Sequence, residues 1–180
     1  MQRIVFVFGA ISGAFCAAVF ILGANLAIRE GHVSGAWGFL LMLVALSVIF
    51  FGIKRYRDSE LGGVIRFGQA FLVGLGISLV AGVTYVTVWE IYLASTGYTF
   101  MDDYFASYIK GKEAAGVAGE ELEAIVTQME AMKERASNPL MRVFMSFLEI
   151  VPFGLIVSLI SAALLRNSKV LPAHAAANNR

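Results

Sequence analysis

The sequence predicts an all-α membrane protein with four transmembrane helices, on three observations. Hydrophobic residues make up 58% of the 180 residues and charged residues only 15%, against roughly a quarter charged in soluble domains. The apolar residues gather into four runs, each near the roughly 20 residues that cross a hydrocarbon core about 30 Å thick. The charges between the runs are biased in sign from one connecting segment to the next, as the positive-inside rule requires.

The first run, Ile4 to Ile28, follows Met1-Gln2-Arg3. It is longer than the apolar core of about 7–15 residues in a secretory signal and has no clean cleavage site, so it reads as a retained span. It holds the only cysteine, Cys16, which rules out an internal disulfide and any two-cysteine metal or redox motif. Phe15 just before it argues against lipid modification, leaving a packed thiol. The second run, Trp37 to Ile53, is short but uncharged. The third, Phe71 to about Ala94, contains one acid, Glu90, and the fourth, Val143 to Leu165, contains one acid, Glu149. These runs are apolar all round, which suits helices and not the alternating strands of a barrel.

The connecting segments set an orientation. Lys54, Arg55, Arg57 and Arg66 stand against Asp58 and Glu60 between runs two and three. Arg3 precedes run one, and Arg166, Lys169 and Arg180 follow run four. Placing these basic segments inside puts both termini in the cytoplasm, N-in/C-in. The short loop with Arg29, Glu30 and His32 is then outside. So is the segment from Ser95 to Met141, with eight acids (Asp102, Asp103, Glu113, Glu120, Glu121, Glu123, Glu130, Glu134) against four bases (Lys110, Lys112, Lys133, Arg135).

That outer segment carries helical periodicity. From about Gly119 to Ala136, Leu122, Ile125, Val126, Met129 and Met132 fall at helical spacing. Glu120, Glu121 and Glu123 open the run and Lys133 and Arg135 close it, matching the helix dipole, and Asn138-Pro139 ends it. A shorter helix is expected over Tyr98 to Lys112, with aromatics suited to the membrane–water boundary. Residues 98–137 thus read as a helical hairpin on or just above the outer face. Residues 1–166 form the transmembrane domain, and the tail 167–180 has no apolar period and is expected to be disordered.

Tyr56-Arg57-Asp58, followed by Leu61-Gly62-Gly63-Val64-Ile65-Arg66-Phe67-Gly68-Gln69-Ala70-Phe71, resembles a bacterial membrane-protein family catalogued as the domain of unknown function numbered 4199. Phe100-Met101-Asp102 with Tyr104, Asn138-Pro139-Leu140, and Phe147-Leu148-Glu149-Ile150 with Pro152, Gly154 and Leu155 agree with it. The resemblance covers all but the tail. It implies four helices in a bacterial inner membrane and no particular activity.

Glu149 and Glu90 are the candidate chemical residues, because an acid at a helix centre costs about 2.5–3.5 kcal/mol on insertion scales. At 1.5 Å per residue they lie roughly 9 Å and 6 Å from the outer ends of their runs. Facing each other they would favour a shared proton, and Pro152 would free the carbonyl of Leu148 beside Glu149. Otherwise each reaches the outer interface or bonds a tyrosine such as Tyr85 or Tyr92.

Small residues four apart form packing faces that let helices approach closely: Gly9, Gly13 and Ala17; Gly74, Ser78 and Gly82; Gly154, Ser158 and Ala162. They serve either packing within one chain or a homodimer. Asn25 belongs at the outer interface or in a bond between helices. The glycine-rich Leu61 to Phe71 lacks the Gly-Lys-Ser/Thr ending of a phosphate loop. It reads as an interfacial turn with Arg66 reaching lipid phosphate, while Arg55 and Arg57 read as topology determinants.

His32 and His174 form no metal pair, there is no nucleophile elbow, and Met129 with Met132 reads as packing. No enzyme activity, metal or cofactor is expected, and no basic run could track a nucleic acid. The expected partners are the lipid bilayer and either a second copy, as a homodimer, or another membrane protein. The leading expectation is an accessory or scaffold protein; the other is a small proton-coupled transporter using Glu149 and Glu90.

Overall fold

The computed structural model describes residues 1–30, 43–44 and 46–172. Among them are six helices and no strand: α1 (Gln2–Glu30), α2 (Val48–Glu60), α3 (Phe67–Ser95), α4 (Phe100–Ala114), α5 (Glu120–Ser137) and α6 (Pro139–Leu165). Three stretches are long and apolar enough to cross a membrane: Gln2–Leu26, Phe67–Ser95 and Pro139–Leu165. Of the expected second span, Trp37 to Ile53, residues 37–42 and 45 lie outside the described residues, and its last part enters α2.

Local chemistry accounts for the helix ends. Asn138 closes α5 and opens α6, its Oδ1 accepting from the amides of Leu140 and Met141 at 3.0 and 3.3 Å. Pro139 follows at the first helical position, where no N–H is needed. α6 therefore starts one turn before the apolar run, and Arg142 lies on a helix instead of in a loop. At the other end of the chain's first turn region, Gly62 and Gly63 at φ +63° and +93° end α2. The Gly63 amide donates back to the Arg57 carbonyl at 3.0 Å, a closure that needs left-handed backbone and hence glycine.

Small residues set how the long helices pack. A Cβ on Gly9 would lie 2.6 Å from the Cβ of Val80, and one on Gly13 would collide with the carbonyl oxygen of Ala81. Farther along, Phe20 of α1 packs edge-on against Trp89 of α3, with centroids 5.1 Å apart. Contact positions thus rise together on both helices, so α1 and α3 are parallel. Between α3 and α6 the order reverses. Gly74 lies against Ser158 and Gly154 against Ser78, each with 2.8 Å between an added Cβ and the serine Cβ. Gly82 meets Phe147, and Glu90 meets Arg142, so these helices are antiparallel.

Between the two glycine–serine contacts, the Ser78 and Ser158 hydroxyls lie 3.1 Å apart, and each donates to the carbonyl four residues back. A buried hydroxyl is tolerated here because it keeps a partner. The predicted packing faces are thus occupied within one chain.

α2 packs with Gly52 against Ile77 and Phe8, and with Ile53 near Gly74. Its Arg57, fully buried, reaches past the end of α6, donating to the carbonyls of Val170 (2.9 Å) and Leu171. Where the sequence predicts a structureless tail from Asn167, residues 167–172 form turns tied to α2 by this guanidinium. Residues 173–180, with His174, lie outside the described residues, as does His32.

Candidate functional site

Beyond Gly82 and Phe147 the close packing ends and a cavity of about 530 Å³ opens. Five helices wall it, mostly with residues one turn apart, the spacing that places side chains on one face. α1 supplies Phe20 and Ala24, α3 Tyr85 and Trp89, α5 Met132 and Ala136. α4 contributes Phe100 and Tyr104 with Met101 and Phe105, and α6 contributes Arg142, Met145, Ser146, Leu148 and Glu149.

The aromatic wall is held by ring contacts. Trp89 packs at 87° to both Phe20 and Phe100, with centroids 5.1 and 5.6 Å apart. Phe100 also stacks on Tyr104 at 6.2 Å. Such edge-to-face and offset pairs are the favoured aromatic geometries. Burial first, then the nearby Tyr108 and Glu149, hold the Tyr104 phenol above its ordinary value. Asn25 lies just beyond the wall and bridges helices, donating to the Tyr92 hydroxyl at 2.7 Å.

The two sequence-predicted acids have different surroundings. Glu90 is bonded by Arg142, Nε to Oε1 and Nη2 to Oε2, both at 2.6 Å. The third guanidinium nitrogen of Arg142 donates to the carbonyl of Ala136 at 2.9 Å, and the group covers the Tyr98 ring at 5.0 Å. Tyr98 itself adopts φ +62°, unusual for a residue with a side chain. The expected proton-sharing carboxyl pair is therefore replaced at Glu90 by a charge-assisted, bidentate ion pair, the stronger arrangement for a carboxylate. Glu149 is exposed at the cavity wall and has no hydrogen bond or ion pair among the described residues.

Arg142 is the residue that sequence reasoning misses. It falls between the outer segment, read as ending at Met141, and the apolar run opening at Val143. Its signal is a spacing of seven from Glu149, which puts both on one helix face. Of the predicted interfacial arginines, Arg55 and Arg66 are exposed, and Arg66 precedes α3, its amide 3.5 Å from Oε1 of Gln69. Arg57 is instead buried, bonding Asp58 at 2.7 Å besides the tail. Asp58 also pairs with Lys54 at 2.5 Å. Burial acts to raise the Asp58 carboxyl, but the bonds from Arg57 and Lys54 outweigh it and hold the group below its ordinary value.

These features define an all-helical chain with membrane-like apolar helices and an aromatic cavity at one end of the bundle. Residues 7–167 match the family described as Protein of unknown function (DUF4199), and the chain belongs to that family. No curated protein and no solved structure matches it.

Proposed function

We propose that the chain is a bacterial inner-membrane protein with four spans, N-in/C-in, acting without catalysis as an accessory or scaffold through its outer helices. Membrane insertion is supported by the large apolar side chains exposed along all three long helices, among them Phe6 and Leu22, Leu72 and Ile91, Phe144 and Ile160. On a soluble chain this much apolar surface would not remain uncovered.

The fourth span is supported by the parallel sense of α1 and α3. If both cross the membrane in one direction, the chain must return between Glu30 and Phe67. The run Trp37 to Ile53 is the segment apolar enough to do so. α2 packs on α3 through Gly52 and Ile53 and is joined to it by the turn at Gly62 and Gly63, which suits the end of such a crossing.

The observation that carries the accessory reading is the apolar stripe of α5. Leu122, Ile125, Val126 and Met129 fall on one face, and the rest of the chain leaves each of them only half-buried. That stripe, outside the membrane in this orientation, is the contact surface. The carrier reading has less support, because both oxygens of Glu90 are already bonded by Arg142.

Native mass spectrometry of the protein, extracted mildly from its own membrane, tests the reading. The expected result is a foreign membrane protein in fixed ratio, lost in Ile125→Asp. Recovery of the monomer alone, or of a homodimer alone, would overturn it.

A further inference from the structure

The aromatic cavity has an electrostatic signature of its own. Two charged residues line it, Arg142 and Glu149. The Arg142 charge is matched by Glu90 just behind it, through two 2.6 Å bonds. The charge left facing the cavity is therefore the carboxylate of Glu149, which no described residue pairs. The rings of Phe20, Trp89, Phe100 and Tyr104 line the same cavity.

A ring face is the negative end of its quadrupole and attracts a cation, most strongly for Trp and for desolvated sites. A carboxylate in apolar surroundings is costly until a cation meets it. Both features select the same occupant. An anion would meet Glu149, and the one basic residue among the lining residues described, Arg142, is already paired with Glu90. A neutral chain would fill the space but leave the carboxylate against hydrocarbon. The cavity, about 530 Å³, has the size of a small-molecule site, roughly 300–1,000 Å³.

We propose that this cavity binds a monovalent organic cation with an apolar body, an alkylated or quaternary ammonium, with Glu149 as counter-ion and the aromatic wall as its cage. A quaternary centre suits the site because it offers positive charge without N–H groups, and the wall around Glu149 is largely carbon. This site is independent of the contact role assigned to α5.

The test uses the full chain in lipid nanodiscs with Trp37→Phe, which leaves Trp89 as the one tryptophan of the two in the sequence. Benzyltrimethylammonium and its uncharged carbon isostere, neopentylbenzene, are titrated against Trp89 fluorescence. The expected result is saturable binding of the ammonium at least about tenfold tighter than the isostere. Glu149→Gln should remove that preference by weakening only the ammonium, and Glu149→Asp should keep it. No saturable response, or equal affinity for the two probes in the unaltered cavity, would overturn the proposal. Equal affinity would make the cavity an apolar slot without preference for charge. The comparison of probes needs no change at Glu149, so it stands even if the Gln variant fails to fold.

Discussion

Glu90 of α3 and Arg142 of α6 form a two-pronged ion pair, with both nitrogen–oxygen distances at 2.6 Å and side chains 25% and 12% exposed. The pair joins the two helices at the end where glycine–serine packing no longer holds them. It also ties the junction of α5 and α6, through the bond from Arg142 to Ala136, to the end of α3. The geometry satisfies two charges that would otherwise stand at the edge of an apolar layer.

Removing one member should cost more than removing both. Breaking a fully buried pair costs roughly 3–5 kcal/mol, and partial exposure lowers the expectation for Arg142→Gln to about 2–4 kcal/mol. The loss comes mainly from the carboxylate left unpaired. Glu90→Gln with Arg142→Gln should therefore be more stable than the sum of the single changes predicts. Reversible unfolding in mixed micelles measures all three variants. Strict additivity would mean that the two side chains do not depend on each other.

Two glycines of α1 should respond in opposite directions to alanine. At Gly13 an added Cβ collides with the backbone carbonyl of Ala81, which cannot rotate away. Gly13→Ala should push α1 off α3 and destabilise by about 1–3 kcal/mol. Gly23 has nothing within 4 Å of an added Cβ. There the better helix propensity of alanine should leave stability unchanged or raise it by up to about 1 kcal/mol. The same unfolding assay, run on both variants, reads the contrast.

The difference between those glycines is instructive about what sequence patterns carry. Spacing of four marked Gly9, Gly13, Gly74, Ser78, Gly154 and Ser158, and all of them lie at helix contacts. The period of a helix is a property of neighbouring residues, so local sequence shows it. The partner of each face is a long-range matter, which is why a homodimer and packing within one chain read alike. The roles of Arg142 and Arg57 were hidden for a related reason. Each stands beside an apolar run, where positive charge ordinarily orients a span. Only the antiparallel register of α3 and α6 brings Glu90 to Arg142, and only the fold-back of 167–172 brings carbonyls to Arg57. The cavity was equally invisible, since its wall comes from five helices and each supplies residues that read singly as core or interface.

Attachment of the tail to α2 should weaken in acid. Asp58 helps hold the Arg57 guanidinium that bonds the Val170 and Leu171 carbonyls. The bonds from Arg57 and Lys54 prevail over burial and put its carboxyl below the ordinary 3.8. A depressed carboxyl contributes its stabilisation above the unfolded-state value and loses it as pH falls through the lower folded-state value. The contact should therefore be intact at neutral pH and fade below about pH 4. A spin label at Ser168→Cys, in a Cys16→Ala background, should be immobile at pH 7 and gain mobility as the pH falls below about 4. Asp58→Asn should flatten this profile, and Arg57→Met should make the label mobile at every pH. A label equally immobile in Arg57→Met would show that other contacts hold the tail.

The parallel packing of α1 and α3 makes the proposed topology testable one crossing at a time. Single cysteines at Gln2, Ser59, Ala118 and Ser168, in a Cys16→Ala background, sample the start of α1, the segments before and after α3, and the segment after α6. With four spans and both termini inside, a membrane-impermeant maleimide should label Ala118→Cys on intact cells. The other three should react only after the membrane is opened. Ser59→Cys is the decisive position. It follows the run Trp37 to Ile53 and precedes α3, so its side of the membrane reports whether the chain has recrossed. If Ser59→Cys labelled from outside along with Ala118→Cys, α3 could not cross in the same sense as α1. Because Val80 and Ala81 pack directly on Gly9 and Gly13, that result would also require at least one of the two helices not to span the membrane.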